Sequence, residues 1–145
     1  MELSDYIAGV LLAVLFGGAI GLEREIRGKP AGLRTNVLIC LGAAVFTLVS
    51  RYLGAGSGDS VTRIAAQVVT GIGFLGAGAI IQDRGGVHGL TTAATIWIVA
   101  SIGMACGAGF FLLALTATIL GVVVLVGLSP LERRLASRRK RREIE

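Results

Sequence analysis

Long apolar runs, more than a water-soluble fold could cover, dominate this sequence. Hydrophobic residues make up 54% of the 145 residues and charged residues only 16%, against about 25% in an average soluble domain. A bilayer core about 30 Å thick is crossed by roughly 20 apolar helical residues. The sequence therefore predicts an all-α, polytopic transmembrane helical bundle of about five spans, at Leu3 to Leu22, Thr35 to Leu53, Ile64 to Gln82, Gly89 to Cys106 and Ala108 to Leu128.

The break between the last two spans is the weakest. Gly89 to Leu128 is nearly continuous apolar sequence, and near its middle Gly103, Gly107 and Gly109 are the only residues available for a turn. A four-span arrangement with a re-entrant segment therefore stays open. In both cases residues 1–130 form the transmembrane domain and residues 131–145 a basic cytoplasmic tail.

Lysine and arginine accumulate on the cytoplasmic side of membrane proteins. With five spans, all basic residues except Arg51 and Arg63 fall on the same side of the membrane. Because this is also the side of the C-terminus, the sequence predicts a cytoplasmic C-terminus and an outer N-terminus. The tail lacks the aromatic residues that accompany nucleic-acid binding, so no nucleic-acid partner is expected. Its basic residues instead predict contact with the lipid bilayer, at about 1 kcal/mol each: Arg138, Arg139, Lys140, Arg141 and Arg142.

Polar residues collect at the predicted cytoplasmic ends of spans one to four. This candidate cluster consists of Glu23, Arg24, Arg34, Thr35, Asn36, Asp83, Thr91, Thr92 and Thr95. Two interpretations are open: Asp83 and Glu23 bind Mg²⁺ through carboxylate oxygen and water, or they pair with Arg34 and Arg24 as structural ties. Thr35 and Asn36 are expected to cap the second span. A smaller outer polar set contains Asp5, Arg63 and Gln67.

Glycines at close spacing predict tight helix packing, because small residues let helix backbones approach in lipid. The residues assigned to this role are Gly17, Gly21, Gly71, Gly73, Gly76 and Gly78, which makes span three the expected central helix. Its GxGxxG pattern does not indicate a dinucleotide site, since no strand precedes it and its neighbours are membrane spans. Cys40 and Cys106 are placed nearer opposite membrane faces, so no disulfide is expected between them.

Five blocks of the chain resemble the MgtC/SapB family: Gly21 to Glu25, Ala31 to Asn36, Arg63 to Gln67, Gly71 to Gly78 and Gly89 to Thr95. The resemblance implies a bundle of about five helices in the bacterial inner membrane and a role in magnesium, acid or intracellular stress. Thr91 stands where virulence-associated members tend to carry asparagine. The sequence ends at Glu145, before the soluble domain that many members carry, and both features reduce the expectation of a virulence-type regulator.

Two functions follow as hypotheses. The first is a regulatory or binding module linked to magnesium or acid-stress homeostasis, which associates with itself, most plausibly as a dimer, or with other membrane proteins. The second is an oligomeric component that transports Mg²⁺ or protons through the candidate cluster. An enzyme is not expected, because no nucleophile, base and oxyanion donors assemble in the sequence.

Overall fold

The computed structural model describes residues 3–54, 60–83 and 86–130. Its helices and strands are α1 Leu3–Ile26, α2 Leu33–Gly54, α3 Ser60–Gly78, β1 Ile81–Asp83, β2 Gly86–His88, α4 Leu90–Ala108 and α5 Phe111–Gly127. The predicted all-α helical bundle is thereby confirmed. The basic tail, with its predicted lipid contacts, and Arg84 lie outside the described residues.

The outer surface of the bundle is apolar. Phe74 is 82% exposed and Leu112 77% exposed, which is the surface of a protein that lies in lipid. Within the described residues, three helices are long and apolar enough to cross a membrane: Ser4–Ile26, Leu33–Gly54 and Leu90–Ala108. The apolar helices Ala65–Gly78 and Phe111–Gly127 are shorter, so the count of five spans and the orientation of the termini stay predictions.

Helix α4 occupies the centre of the bundle. It contacts α1, α2, α3 and α5, whereas α3 packs mainly against α2 and α4. The expectation that span three is the central helix is therefore wrong. The physical reason lies in its glycines, since a Cβ atom added to Gly71, Gly73 or Gly78 would meet no heavy atom within 4 Å in the part of the chain that the structure describes.

Close backbone packing comes instead from glycines on α4 and α1. Gly103 lies against the carbonyl oxygen of Cys40, and Gly107 against that of Ala44. These two glycines, taken from the sequence as turn residues, are four residues apart on one helix face, and the turn itself is at Gly109, with a φ of 82°.

Gly17 and Gly21 of α1 lie close to α2. A Cβ atom on Gly17 would stand 2.6 Å from the Cβ of Cys40, and one on Gly21 would stand 2.8 Å from the Cα of Leu33. Gly76 is different, because its nearest neighbour, Ala93, lies at an ordinary contact distance of 3.7 Å. Of the six glycines assigned to packing, two thus lie where a side chain would clash.

Both cysteines are free and buried. They lie in one core with Ala13, Ile20 and Val99, so their predicted placement near opposite faces is wrong. Helices α2 and α4 start at the same end of the bundle but are displaced along their length. Cys40, in the first half of α2, therefore lies beside the second half of α4.

A short antiparallel hairpin joins α3 to α4. Ile81 pairs with His88 and Asp83 with Gly86, so the predicted helical end of span three at Gln82 is wrong. The helix ends at Gly78, where residues that favour strands replace the small residues of the helix. Gly89 then starts α4 with a φ of 87°, a conformation that glycine adopts without a Cβ penalty.

The N-terminus of α2 is capped from α1. The backbone N–H of Leu33 donates to Oε2 of Glu25 at 3.0 Å. The predicted caps are wrong, since Thr35 and Asn36 fall inside the helix and the amide of Asn36 donates to the carbonyl oxygen of Gly32 at 2.9 Å. The α1–α2 loop is short enough for Glu25 to reach across it.

Replacing this cap gives the first testable prediction. Glu25→Ala is expected to destabilise the bundle by about 0.5–1.5 kcal/mol, because the Leu33 N–H loses its acceptor. Glu25→Gln, which keeps an oxygen acceptor, is the matched control and should retain most of the stability. The measurement is unfolding by SDS titration in mixed micelles. Equal losses in both variants would contradict a capping role.

Candidate functional site

One end of the bundle, called here the polar end, is formed where α1, α3 and α5 finish and α2 and α4 begin. Arg24, in the last turn of α1, donates hydrogen bonds to Pro30 before α2 and to Thr92 in the first turn of α4. The hairpin lies here too, since Gly89 contacts Ala79. Most of the candidate cluster thus falls at this end of the fold.

A pocket of about 500 Å³ opens at the polar end and is called here the polar-end pocket. It is lined by the end of α1, the loop to α2, the hairpin, the start of α4 and the end of α5. Four residues predicted from the sequence line it: Glu23, Arg24, Thr91 and Thr92. Three further basic residues that the predicted site did not include also line it: Arg27, Lys29 and His88. The sequence indicated these residues only by their place in loops that were expected on the same side of the membrane as the candidate cluster.

Arg24 is the most buried charged group of this pocket, at 4% exposure. Its Nη2 donates to Oγ1 of Thr92 at 2.8 Å and to the carbonyl oxygen of Pro30 at 3.2 Å. Its Nε is buried and has no hydrogen-bond partner among the described residues. The guanidinium is therefore held firmly while one of its donors is left unused.

Glu23 pairs with a different arginine from those expected. Its Oε1 lies 2.7 Å from Nε of Arg27, one helical turn further along α1, rather than pairing with Arg24 or Arg34. Its second oxygen, Oε2, is buried and lacks a hydrogen-bond partner within the part of the chain that the structure describes. The pocket thus contains one unused donor, on Arg24, and one unused acceptor, on Glu23.

Asn36 and Thr95 have structural positions. Asn36 is fully buried, and its side-chain amide donates to the carbonyl oxygens of Ala31 and Gly32, which holds the α1–α2 loop. Thr95 is 2% exposed, and its hydroxyl donates to the carbonyl oxygen of Thr91 at 2.7 Å. Both side chains serve the local backbone.

Three members of the candidate cluster lie away from the pocket. Arg34 and Thr35 are exposed and line a separate groove between α2, α3 and α4. Asp83 is exposed on the hairpin, with Oδ1 3.5 Å from Nε2 of His88. Asp83 is not among the residues that line the pocket with Glu23. Across residues 3–54, 60–83 and 86–130, no three His, Cys, Asp or Glu side chains are grouped to hold a metal ion.

The outer polar set lies dispersed. Asp5 is half-buried, Arg63 and Gln67 are exposed, and Gln67 borders an apolar groove of about 580 Å³ between α2 and α3. Arg51, also predicted on this outer side, donates from Nη1 to the carbonyl oxygen of Gly107 at 3.2 Å. A cation at this helix end satisfies a carbonyl that has no partner within the helix.

Comparison with known proteins identifies relatives over most of the chain. Residues 10–134 match the model of the MgtC family. The chain is 48% identical over 128 residues to "Putative magnesium transporter YhiD" of Escherichia coli K12, covering 84% of this chain and 60% of the relative. It is 53% identical over 120 residues to Protein MgtC of Salmonella typhimurium LT2, covering 83% of this chain and 51% of the relative.

Protein MgtC of Brucella abortus is 51% identical over 120 residues, covering 82% of this chain and 49% of the relative. The chain thus spans about half to three-fifths of the length of these curated relatives. No solved structure matches the chain. A family model that covers nearly the whole bundle and relatives near 50% identity lead to one conclusion: the chain belongs to the MgtC family.

Proposed function

We propose that this protein is a multi-pass module of the bacterial inner membrane, tied to magnesium homeostasis, that acts by binding a ligand or partner. The link to magnesium is carried over from the printed name of the E. coli relative. The observation that supports binding over transport is the lining of the polar-end pocket. Among the described residues of its lining, Arg24, Arg27 and Lys29 outnumber the one carboxylate, Glu23, and a like-charged lining disfavours Mg²⁺.

Partner binding is supported by the open side of α3. A Cβ atom added to Gly71, Gly73 or Gly78 would meet no atom of the described residues within 4 Å, although small residues in lipid typically serve helix contacts. Association with a second copy, or with another membrane protein, would give these glycines a use. No step of the proposal requires catalysis.

The alternative is an oligomeric component that transports Mg²⁺ or protons. It is favoured by the name of the E. coli relative and by the unpartnered Oε2 of Glu23, an oxygen of the type that binds magnesium. Transport would require several copies, because the described helices pack around buried side chains.

A flux assay separates the two functions. Purified protein in liposomes is expected to pass neither Mg²⁺ nor protons above protein-free vesicles, and Asp83→Asn and Glu23→Gln are expected to leave this baseline unchanged. Glu25→Gln is the matched control, because Glu25 lies on the same helix outside the pocket. Magnesium flux that is abolished by Asp83→Asn or Glu23→Gln but not by Glu25→Gln would establish the transport alternative.

A further inference from the structure

We propose that the polar-end pocket binds a phosphoryl anion that also carries a hydroxyl group, either hydrogen phosphate or a lipid headgroup containing phosphate and a hydroxyl. This inference rests on the proposed function, because it names a ligand for the pocket whose lining supports binding. The two can fail separately, since association through the open side of α3 does not require a ligand in this pocket. The inference is based on the charge of the pocket, its two unpartnered buried atoms and the helix that starts in it.

The charge of the pocket favours an anion. Of the described residues, Arg24, Arg27, Lys29 and His88 line it together with a single acidic one, Glu23, whose carboxylate is already paired with Arg27. Arginine binds phosphate through directed hydrogen bonds, and such charge-assisted bonds are stronger than neutral ones. His88 lies 3.5 Å from Asp83, so the excess positive charge of the described lining comes from Arg24 and Lys29.

Arg24 provides the fixed donor of the site. Its two hydrogen bonds, to Thr92 and Pro30, hold the guanidinium in place before a ligand arrives. Leaving a buried donor without a partner costs about 1–3 kcal/mol, so the unused Nε is an expensive feature unless a ligand accepts from it. A phosphoryl oxygen is an acceptor of the right charge.

Helix α4 contributes a second set of donors. It starts at Leu90 without a side-chain cap, and its first residues, Leu90, Thr91 and Thr92, all line the pocket. The first N–H groups of a helix have no partner within it, and together with the helix dipole they favour an anion. The buried arginine and this helix start thus converge on one space.

Glu23 determines which anion fits. Its unpartnered Oε2 would repel an anion without protons, yet it would accept a hydrogen bond from a ligand hydroxyl. Hydrogen phosphate carries such a hydroxyl, and sulfate at neutral pH does not. Apolar side chains at the end of α5, Val124 and Leu125, and of the following Leu128 form part of the lining, which suits the acyl chains of a lipid. The two sources share their chemistry and differ in this contact.

The test uses the full chain, purified and stripped of lipid in neutral detergent. Calorimetric titration with inorganic phosphate and with sulfate measures the free anion. Native mass spectrometry after addition of phosphatidylglycerol or phosphatidylcholine measures the lipid headgroup. The variants are Arg24→Gln and, because a buried arginine can be needed for folding, the double variant Arg27→Gln with Lys29→Gln. Arg34→Gln is the matched control, since Arg34 is basic, lies near the same end and is outside the pocket.

Three results together would support a site for a free anion. Phosphate binding is saturable, the double variant weakens it at least about tenfold, or 1.4 kcal/mol, and Arg34→Gln binds phosphate like wild type. A site for a lipid headgroup would be supported if wild type retains phosphatidylglycerol in preference to phosphatidylcholine and the pocket variants lose this preference. Glu23→Gln is expected to raise sulfate binding toward that of phosphate. Equal binding by wild type, the pocket variants and Arg34→Gln, or binding in neither assay, would overturn the proposal.

Discussion

Gly103→Ala is expected to destabilise the bundle by about 2 kcal/mol or more. The added methyl group would meet the carbonyl oxygen of Cys40, which belongs to the backbone of α2 and cannot move without shifting that helix. Inserting atoms into a packed core costs about 1–3 kcal/mol, and more where the neighbour is rigid. The expected loss of stability is larger than the gain from alanine's helix propensity, which is about 1 kcal/mol.

Gly71→Ala is the matched control for this substitution. It makes the same chemical change within a helix, but the space around Gly71 is open, so the variant is expected to be as stable as wild type or up to about 1 kcal/mol more stable. SDS titration in mixed micelles and thermal unfolding in detergent measure both. A loss at Gly71 as large as that at Gly103 would contradict the arrangement with α4 at the centre.

Arg24→Met is expected to destabilise the protein by about 2–3 kcal/mol, because it removes two hydrogen bonds from a charged donor and leaves the Thr92 hydroxyl and the Pro30 carbonyl without that partner. Arg34→Met, at an exposed arginine, should stay within about 0.5 kcal/mol of wild type. Both substitutions remove one positive charge, so the difference reports burial and contacts rather than net charge.

A double-mutant cycle isolates the bond between Arg24 and Thr92. Thr92→Val alone is expected to cost about 1–2 kcal/mol, and the double variant should cost less than the two single changes added together, with a coupling of about 1–2 kcal/mol. Simple additivity within 0.3 kcal/mol or so would show that this 2.8 Å hydrogen bond contributes little.

The order of the helices α1 to α5 could be predicted because apolar length is a property of each segment alone. The packing between helices could not, because it depends on the lengthwise displacement of α2 against α4, which no single segment contains. This displacement places Gly103 and Gly107 beside Cys40 and Ala44. Without knowledge of this displacement, the denser glycine pattern of α3 indicated a central helix, and Cys106 was placed too far from Cys40.

The candidate cluster could be predicted only in part, because some of its contacts follow from single segments and others from how the segments pack. Convergence of the first and third loops was readable from charge, and it places Glu23, Arg24, Thr91 and Thr92 together. The ion pair of Glu23 with Arg27 was also readable, since residues four apart on a helix are neighbours. Asp83 was misplaced because the pairing of β1 with β2, in which Asp83 lies opposite Gly86, turns the end of span three into a hairpin.

The α1–α2 contact has a consequence for the order in which the protein is assembled during synthesis. Gly17 and Gly21 contact α2, so the first two helices can associate before the rest of the chain is made. Thr92, which completes the surroundings of Arg24, follows that arginine by 68 residues. At 5–20 residues per second this delay is roughly 3–14 s. During that time Arg24, in the last turn of α1, can stay hydrated at the membrane surface. The arrival of α4 then removes it from water, at a stage when its hydrogen-bond partner is already present.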